Sequence, residues 1–184
     1  NEKPLNIYGY SKLVFDNYVR RRMNSFESTV IGLRYFNVYG PRERHKGRMA
    51  SVMQHFSKQL KTQGEIRMFE GTGGYGSGEQ LRDFVFVKDL ARINMFFGGL
   101  LPESPKQPVK AVVNAGTGKA RTFKDVAKAL MSVHGEGKIT FIPFPADLHG
   151  RYQHFTQADV TGLRQAGYAD PMTELEEGVH QTFA

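Results

Sequence analysis

Apolar positions along the chain follow two alternating rhythms. Ile7, Tyr10, Val14, Phe15, Tyr18 and Val19 recur near helical spacing and predict a helix from Leu5 to about Asn24. Residues 29–40, TVIGLRYFNVYG, are rich in β-branched and aromatic side chains and read as a buried strand running into a loop. Residues 41–47 are polar loop. Met49, Val52, Met53, Phe56 and Leu60 then repeat at three and four, an amphipathic helix that Gly64 ends. The alternation continues with strands at IRMFE and DFVFV, a helix over Val87–Leu101, and a Pro-rich turn at 102–110. AVVNAG is a strand, Thr122 caps a helix running to about Gly135, and ITFIPFP is a strand. Short helices at 159–166 and 173–183 close the chain. Strands alternating with helices of this length predict an α/β protein with a mostly parallel sheet.

Composition narrows the class. With 184 residues and 40% apolar positions the chain can bury a core. It has no Cys, which removes disulfides, thiolate metal sites and thiol nucleophiles. No apolar run approaches the ~18 residues of a membrane span, and no signal peptide opens the sequence. A cytoplasmic protein with no membrane partner and no metal is the expectation. The net charge of +7 is unevenly placed: residues 1–62 hold 12 Lys or Arg against 4 Asp or Glu, the rest 13 against 14. Such a block suits nucleic acid, a membrane surface or phosphorylated small molecules. No nucleic-acid motif accompanies it.

Two glycine-rich stretches imitate phosphate loops. Gly71-Thr72-Gly73-Gly74-Tyr75-Gly76 matches G-x-G-x-x-G, but a strand follows where the dinucleotide fingerprint needs a helix N-terminus. It reads as a hairpin loop. Gly116-Thr117-Gly118-Lys119 lacks the upstream Gly of a P-loop and the Ser or Thr after its lysine. Tyr8-Gly9-Tyr10-Ser11-Lys12 is different. Spacing of four places Tyr8 and Lys12 on one helical face. An ammonium beside a phenol favours the phenolate and equips it for proton transfer. Alone, the pair is equally a packed tyrosine and a solvent-seeking lysine.

The Tyr8–Lys12 segment followed by Arg34-Tyr35-Phe36-Asn37-Val38-Tyr39-Gly40-Pro41 resembles the extended short-chain dehydrogenase/reductase family, whose members acting on nucleotide sugars are epimerases and dehydratases. RYFNVYGPRERHKGRMASV, FEG, RDFVFVKDLA, NAGTGKA and IPFPADLHGRYQHFTQAD narrow the likeness to a branch that inverts one carbon of an ADP-linked heptose. The resemblance implies NADP as hydride carrier, an ADP-sugar substrate for lipopolysaccharide synthesis, and a homo-oligomer when full length. It implies Tyr8 and Lys46 as catalytic acid/bases on opposite faces of the sugar. Lys12, Val38 and Lys46 would meet the cofactor. Asn37, Arg48, His55, Phe69, Glu70, Gly71, Thr72, Arg82 and Tyr152 would meet the substrate, Arg82 at the diphosphate. His134 and His180 stay as surface or packing residues.

The implied fold is the C-terminal portion of a doubly wound, Rossmann-like parallel sheet plus a small α/β substrate-binding domain. Residues 1–47 would belong to the cofactor-binding domain. Residues 48–184 would be mostly substrate domain, with about 83–115 returning to the sheet. Departures from the pattern are Arg48, where the family has a small Ser, and a longer, Gly-richer connection over 71–81 that bears on adenine recognition. Other readings are a 4-epimerase or dehydratase of another nucleotide sugar, and a non-catalytic fragment that binds a sugar nucleotide. No glycine fingerprint or ribose-reading acid precedes the non-Met start at Asn1, a deficit on the order of 100 residues against the family. The expected outcome is that this chain alone binds NADP weakly and does not epimerise; equilibrium dialysis and a turnover assay check it.

Overall fold

A computed structural model describes residues 2–4, 6–148, 150 and 152–184. The start of the sequence-predicted first helix at Leu5, the sequence start at Asn1, and two residues of the 142–159 match, His149 and Arg151, lie outside the described residues. The helices are α1 (Ile7–Arg22), α2 (Val52–Gln63), α3 (Val87–Phe97), α4 (Phe123–His134), α5 (Thr161–Gln165) and α6 (Leu175–Phe183). The strands are β1 (Val30–Tyr35), β2 (Asn37–Tyr39), β3 (Glu65–Phe69), β4 (Leu81–Phe86), β5 (Lys110–Ala115), β6 (Ala120–Thr122) and β7 (Lys138–Ile142). Local chemistry sets several boundaries. Asn6 caps α1 by accepting from the Gly9 amide. Thr122 and Asp125 form a reciprocal capping box at the start of α4. Gly64 ends α2 with φ 68°, a left-handed conformation that glycine adopts without a Cβ penalty.

The strands form small, largely parallel sheets. β1 pairs with β5, from Val30 opposite Lys110 to Tyr35 opposite Ala115. β2 pairs with β4, Asn37 opposite Phe84, and β4 pairs antiparallel with β6. β3 pairs with β7. This corrects the hairpin reading of 71–80: β3 and β4 flank that loop but belong to different sheets. Both strands take partners from later in the chain, which no local pattern reveals. The single strand expected over 29–40 breaks at Phe36, whose amide still bonds Ala115 before β2 turns to β4. The expected loop at 41–47 runs into 3₁₀ turns over Arg44–Met49. The α2 helix starts later than its apolar rhythm, because Ser51 is its cap.

The β4 strand is the inner wall of two apolar clusters. Phe84 and Phe86 face one, with Tyr39, Met53, Phe56, Leu60, Ile66, Val126, Leu130 and Val179. Val85 faces the other, with Leu90, Ile93, Phe96, Val113, Leu163 and Tyr168. Burial on both faces explains the nearly unbroken apolar run of DFVF. The α1 helix contrasts with this. None of its residues is buried, and Ile7, Tyr8, Phe15 and Tyr18 remain exposed. No helix among the described residues is long and apolar enough to cross a membrane.

Asp83 locks the two clusters together. It is fully buried and accepts from the Thr117 amide (2.8 Å) and hydroxyl (2.7 Å), the Gly118 amide (2.8 Å) and the Ala158 amide (3.0 Å). The Gly-Thr-Gly-Lys stretch thus cradles an internal carboxylate. A Cβ at Gly116 would lie 2.7 Å from the Ala158 Cβ and 3.0 Å from Asp83 Oδ2. Asp83→Ala leaves three backbone donors unpaired in the interior, so it is expected to cost about 3 kcal/mol or more in urea unfolding.

Candidate functional site

The sequence-predicted site residues fall around three concavities. Tyr8 and Lys12 share the first turns of α1, with the Lys12 ammonium 5.2 Å from the centre of the Tyr8 ring. Tyr8 is 70% exposed, and the Ser11 hydroxyl donates to its carbonyl. Both residues line an open cleft of about 830 Å³ with Tyr35 and Arg34 of β1. Arg34 is held by Asp16 of α1 at 2.6 Å, which fixes the helix against the strand. At this exposure the Tyr8 side chain is accessible to a ligand in the cleft.

The second concavity lies along the 3₁₀ segment and α2, beyond β2, and Asn37, Val38 and Lys46 do not line it. Asn37 sits at the start of that strand, its carbonyl oxygen 3.5 Å from the Thr156 hydroxyl, and Val38 is half-buried beside it. Tyr39 is buried, and desolvation pushes its phenol far above the usual value, the carboxylates of Asp89 and Glu176 adding to this. The 3₁₀ segment carries Lys46 and Arg48 on either side of Gly47, whose φ of 54° and ψ of −121° reverse the chain. Lys46 reaches Glu43 Oε2 at 3.4 Å and is 46% exposed. Arg48 and His55 line a groove of about 1230 Å³ with Arg42, Arg44, Lys58 and Lys61. Those five Lys and Arg side chains form no ion pair among the described residues, which concentrates the basic block of the sequence on one face.

Glu43 is a functional candidate that the motifs did not single out. It is 5% exposed and its two oxygens accept from the Gly40 amide (3.1 Å), the Ser51 amide (2.8 Å) and the Ser51 hydroxyl (2.8 Å), besides Lys46. Burial by itself would push this carboxyl up. The Ser51 and Gly40 bonds, with the Lys46 ammonium beside them, outweigh burial and hold it below the usual carboxylate range. Its contribution to stability is therefore complete above that range and is lost as pH falls through the depressed value. A signal was present: Glu43 is the lone acid between Arg34 and Lys61, a stretch with seven Lys or Arg.

The third concavity, of about 390 Å³, lies between α2, β3, β7 and α4, and is lined by Phe56, Gln59, Phe69, Gln80, Phe123 and Tyr152 among others. Phe69 meets Phe144 edge-on, Phe144 meets Tyr152, and Tyr152 meets His154. Such rings present faces and edges to a flat aromatic ligand. Arg82 lies against this wall, its guanidinium 4.9 Å from the Tyr152 ring centre and 5.8 Å from that of Phe123. It is 8% exposed, donates to the Leu81 carbonyl, and forms no ion pair among the described residues. Burial draws its guanidinium below the ordinary arginine value, with the Tyr152 phenol opposing. A buried cation without an anion is matched by a phosphate-bearing ligand.

The 71–80 loop closes one side of this pocket. The Gly71 amide accepts no freedom here: it donates to the Ser77 hydroxyl at 3.1 Å, and a Cβ on Gly71 would lie 2.4 Å from the Tyr75 carbonyl. The Thr72 carbonyl accepts from Tyr75, the Glu70 carbonyl accepts from the Gln80 side chain, and Lys124 of α4 holds Glu79. Tyr75 lies parallel to His154, whose Nε2 is buried without a hydrogen-bond partner among the described residues. The structure thus brings Phe69, Arg82 and Tyr152 together, and Arg48 with His55, while Tyr8 and Lys12 face a separate cleft. No group of His, Asp and Glu among the described residues is arranged to hold a metal. His134 packs between helices, bonded to Ser57 at 2.9 Å and edge-on to Phe183.

The sequence pattern of the NAD dependent epimerase/dehydratase family matches residues 1–120. The chain belongs to that family. It is 52% identical over 179 residues to an ADP-L-glycero-D-manno-heptose-6-epimerase of Alkalilimnicola ehrlichii, covering 97% of this chain and 54% of the relative. The crystal structure of the Helicobacter pylori ADP-L-glycero-D-manno-heptose-6-epimerase superposes with a TM-score of 0.79 at 32% identity, over 99% of this chain and 51% of that one. The UDP-glucose 4-epimerase of Thermotoga maritima gives 0.72 at 27% identity, over 96% and 52%. The chain spans about half the length of the relatives it matches, with the same α/β fold over that half.

An uncompensated Arg82 separates stability from binding. Arg82→Met is expected to leave the thermal midpoint of the free protein unchanged or raise it by a few °C, because the desolvated charge is gone. Inorganic pyrophosphate should raise the midpoint of the unsubstituted chain and leave that of the variant unmoved in differential scanning fluorimetry.

Proposed function

We propose that the chain supplies the substrate-binding and proton-transfer side of an epimerase that inverts one carbon of an ADP-linked heptose, with NADP as the hydride carrier. The observation that carries the reaction is the Tyr8–Lys12 pair, an exposed phenol with an ammonium 5.2 Å from its ring, on one face of α1 at the mouth of an open cleft. The likeness to heptose epimerases over nearly the whole chain supports the substrate class. The pairing of β1 with β5 and of β2 with β4 supports assigning residues 1–47 and about 83–115 to the C-terminal portion of a doubly wound sheet. The remainder of 48–184 then forms the small substrate-binding unit.

In this reading the diphosphate rests on Arg82 and the adenine enters the aromatic pocket of Phe69 and Tyr152. Glu70, Gly71 and Thr72 border it at the end of β3. The sugar extends toward Asn37, Arg48 and His55. Lys12 and Val38 would hold the nicotinamide end of NADP, and Lys12 suits this because its ammonium forms no ion pair among the described residues. NADP, when bound, supplies removal and return of a hydride at the inverted carbon. The chain's own residues move the proton. Tyr8, with the Lys12 ammonium 5.2 Å from its ring, takes the proton of the sugar hydroxyl as the carbonyl forms. After the carbonyl turns its other face, Lys46 donates a proton to the oxygen. The hydride returns to the carbon it left, and the enzyme is restored once Tyr8 gives its proton to solvent and Lys46 regains one from it, so the product differs only in configuration.

A reaction with one acid/base, such as 4-epimerisation or dehydration of another nucleotide sugar, has no place for Lys46. The Lys46→Ala substitution separates the two. In an epimerising form of the protein it should lower turnover by about 10²-fold or more, the range of a lost general acid. Turnover within about twofold of the parent would turn the reading toward the one-base reaction.

A further inference from the structure

We propose that Glu43 is a positioning residue for Lys46, acting as a fixed buried anion to which the lysine is tethered. The proposal rests on the two-base reading above and adds to it a group that holds one of the bases. Three of the four hydrogen bonds to Glu43 come from neutral donors, the Gly40 amide and the amide and hydroxyl of Ser51. The carboxylate is therefore placed independently of Lys46. Gly40 directly follows β2 and Ser51 caps α2 by accepting from Gln54, so Glu43 closes the whole intervening segment between a strand and a helix. The Lys46 amide also donates to the Glu43 carbonyl at 2.9 Å, which sets the direction in which the side chain leaves the backbone.

The remaining contact differs in kind. Lys46 Nζ stands 3.4 Å from Oε2, long for a charge-assisted bond, and its side chain is 46% exposed while that of Glu43 is 6% exposed. One partner is locked and the other can swing. A lysine so held rests beside the carboxylate, leaves it at little cost to reach a carbonyl oxygen, and returns to the same place. The Arg42 backbone before Glu43 has φ 68°, a left-handed conformation that a non-glycine residue rarely adopts.

Two measurements test the proposal. Trace acetylation of this chain, read by mass spectrometry as the ratio of Lys46 to Lys58 modification, should rise about threefold or more in Glu43→Gln, the size of an exposed ion pair. An unchanged ratio overturns the tether. In an epimerising form of the protein, each epimer is supplied separately and single-turnover reduction of the nicotinamide is followed by absorbance. Glu43→Gln should slow by about tenfold the same epimer that Lys46→Ala slows, and leave the other within about twofold. Equal slowing of both epimers marks Glu43 as merely structural. Should Lys46→Ala itself slow both alike, the two-base reading falls, and the acetylation ratio still decides whether Glu43 holds Lys46. Ser51→Ala, which removes the hydroxyl bond to Oε1 together with the α2 cap to Gln54 but keeps the Ser51 amide bond, gives the milder form of both shifts if Glu43→Gln does not fold, and no shift in it overturns the proposal.

Discussion

One buried carboxylate ties three distant stretches of the chain together at the point where both apolar clusters meet. Asp83 sits where β4 begins, and its four donors come from the turn after β5 and from residue 158. Each of those segments belongs to a different stretch of the chain, and none is held there by a long sheet. A carboxylate with all its acceptors used is a stable thing to bury; the same group with its donors removed is not. The bonds also hold Gly116 against Ala158 too closely for any side chain. From this point the two apolar clusters run outward along opposite faces of β4.

Arg82, the neighbour of Asp83, shows the opposite solution. Adjacent positions on a strand face opposite sides, so Asp83 points toward the 116–118 turn and Arg82 toward the aromatic pocket. One charge is fully answered within the fold. The other is desolvated against Tyr152 and Phe123 and unanswered among the described residues. The contrast is physical: one buried charge is saturated within the fold, and the other lies desolvated beside a pocket. Glu43 repeats the first solution at the edge of the site, where a saturated carboxylate holds one loosely bound lysine.

The alternation of apolar rhythms made the α/β class legible, because a helix period and a strand period are properties of consecutive residues. Thr122 as a cap and Gly64 as a helix end were legible for the same reason. The rejection of both glycine stretches as phosphate loops also came from neighbours in sequence. What they do instead was not legible. The Gly116–Lys119 stretch binds an internal anion supplied by β4, far away in the chain. The 71–80 stretch joins strands of two sheets and is held by Lys124 and His154 rather than by a hairpin partner. Glu43 went unremarked because its importance lies in Ser51 and Gly40, whose amides carry no side-chain signature.

The sequence alone determined the elements, the family and the chemical alphabet of the site: a tyrosine and lysine four apart on a helix, a basic segment, an arginine before an apolar strand. These follow from spacing and side-chain chemistry over short stretches. Tertiary structure alone decided which charges are answered and which are open. Arg82 and Asp83 are adjacent ions in the sequence, and nothing local tells them apart. Only the fold brings four distant donors to Asp83 and surrounds Arg82 with rings, since desolvation and partnering are set by neighbours in space.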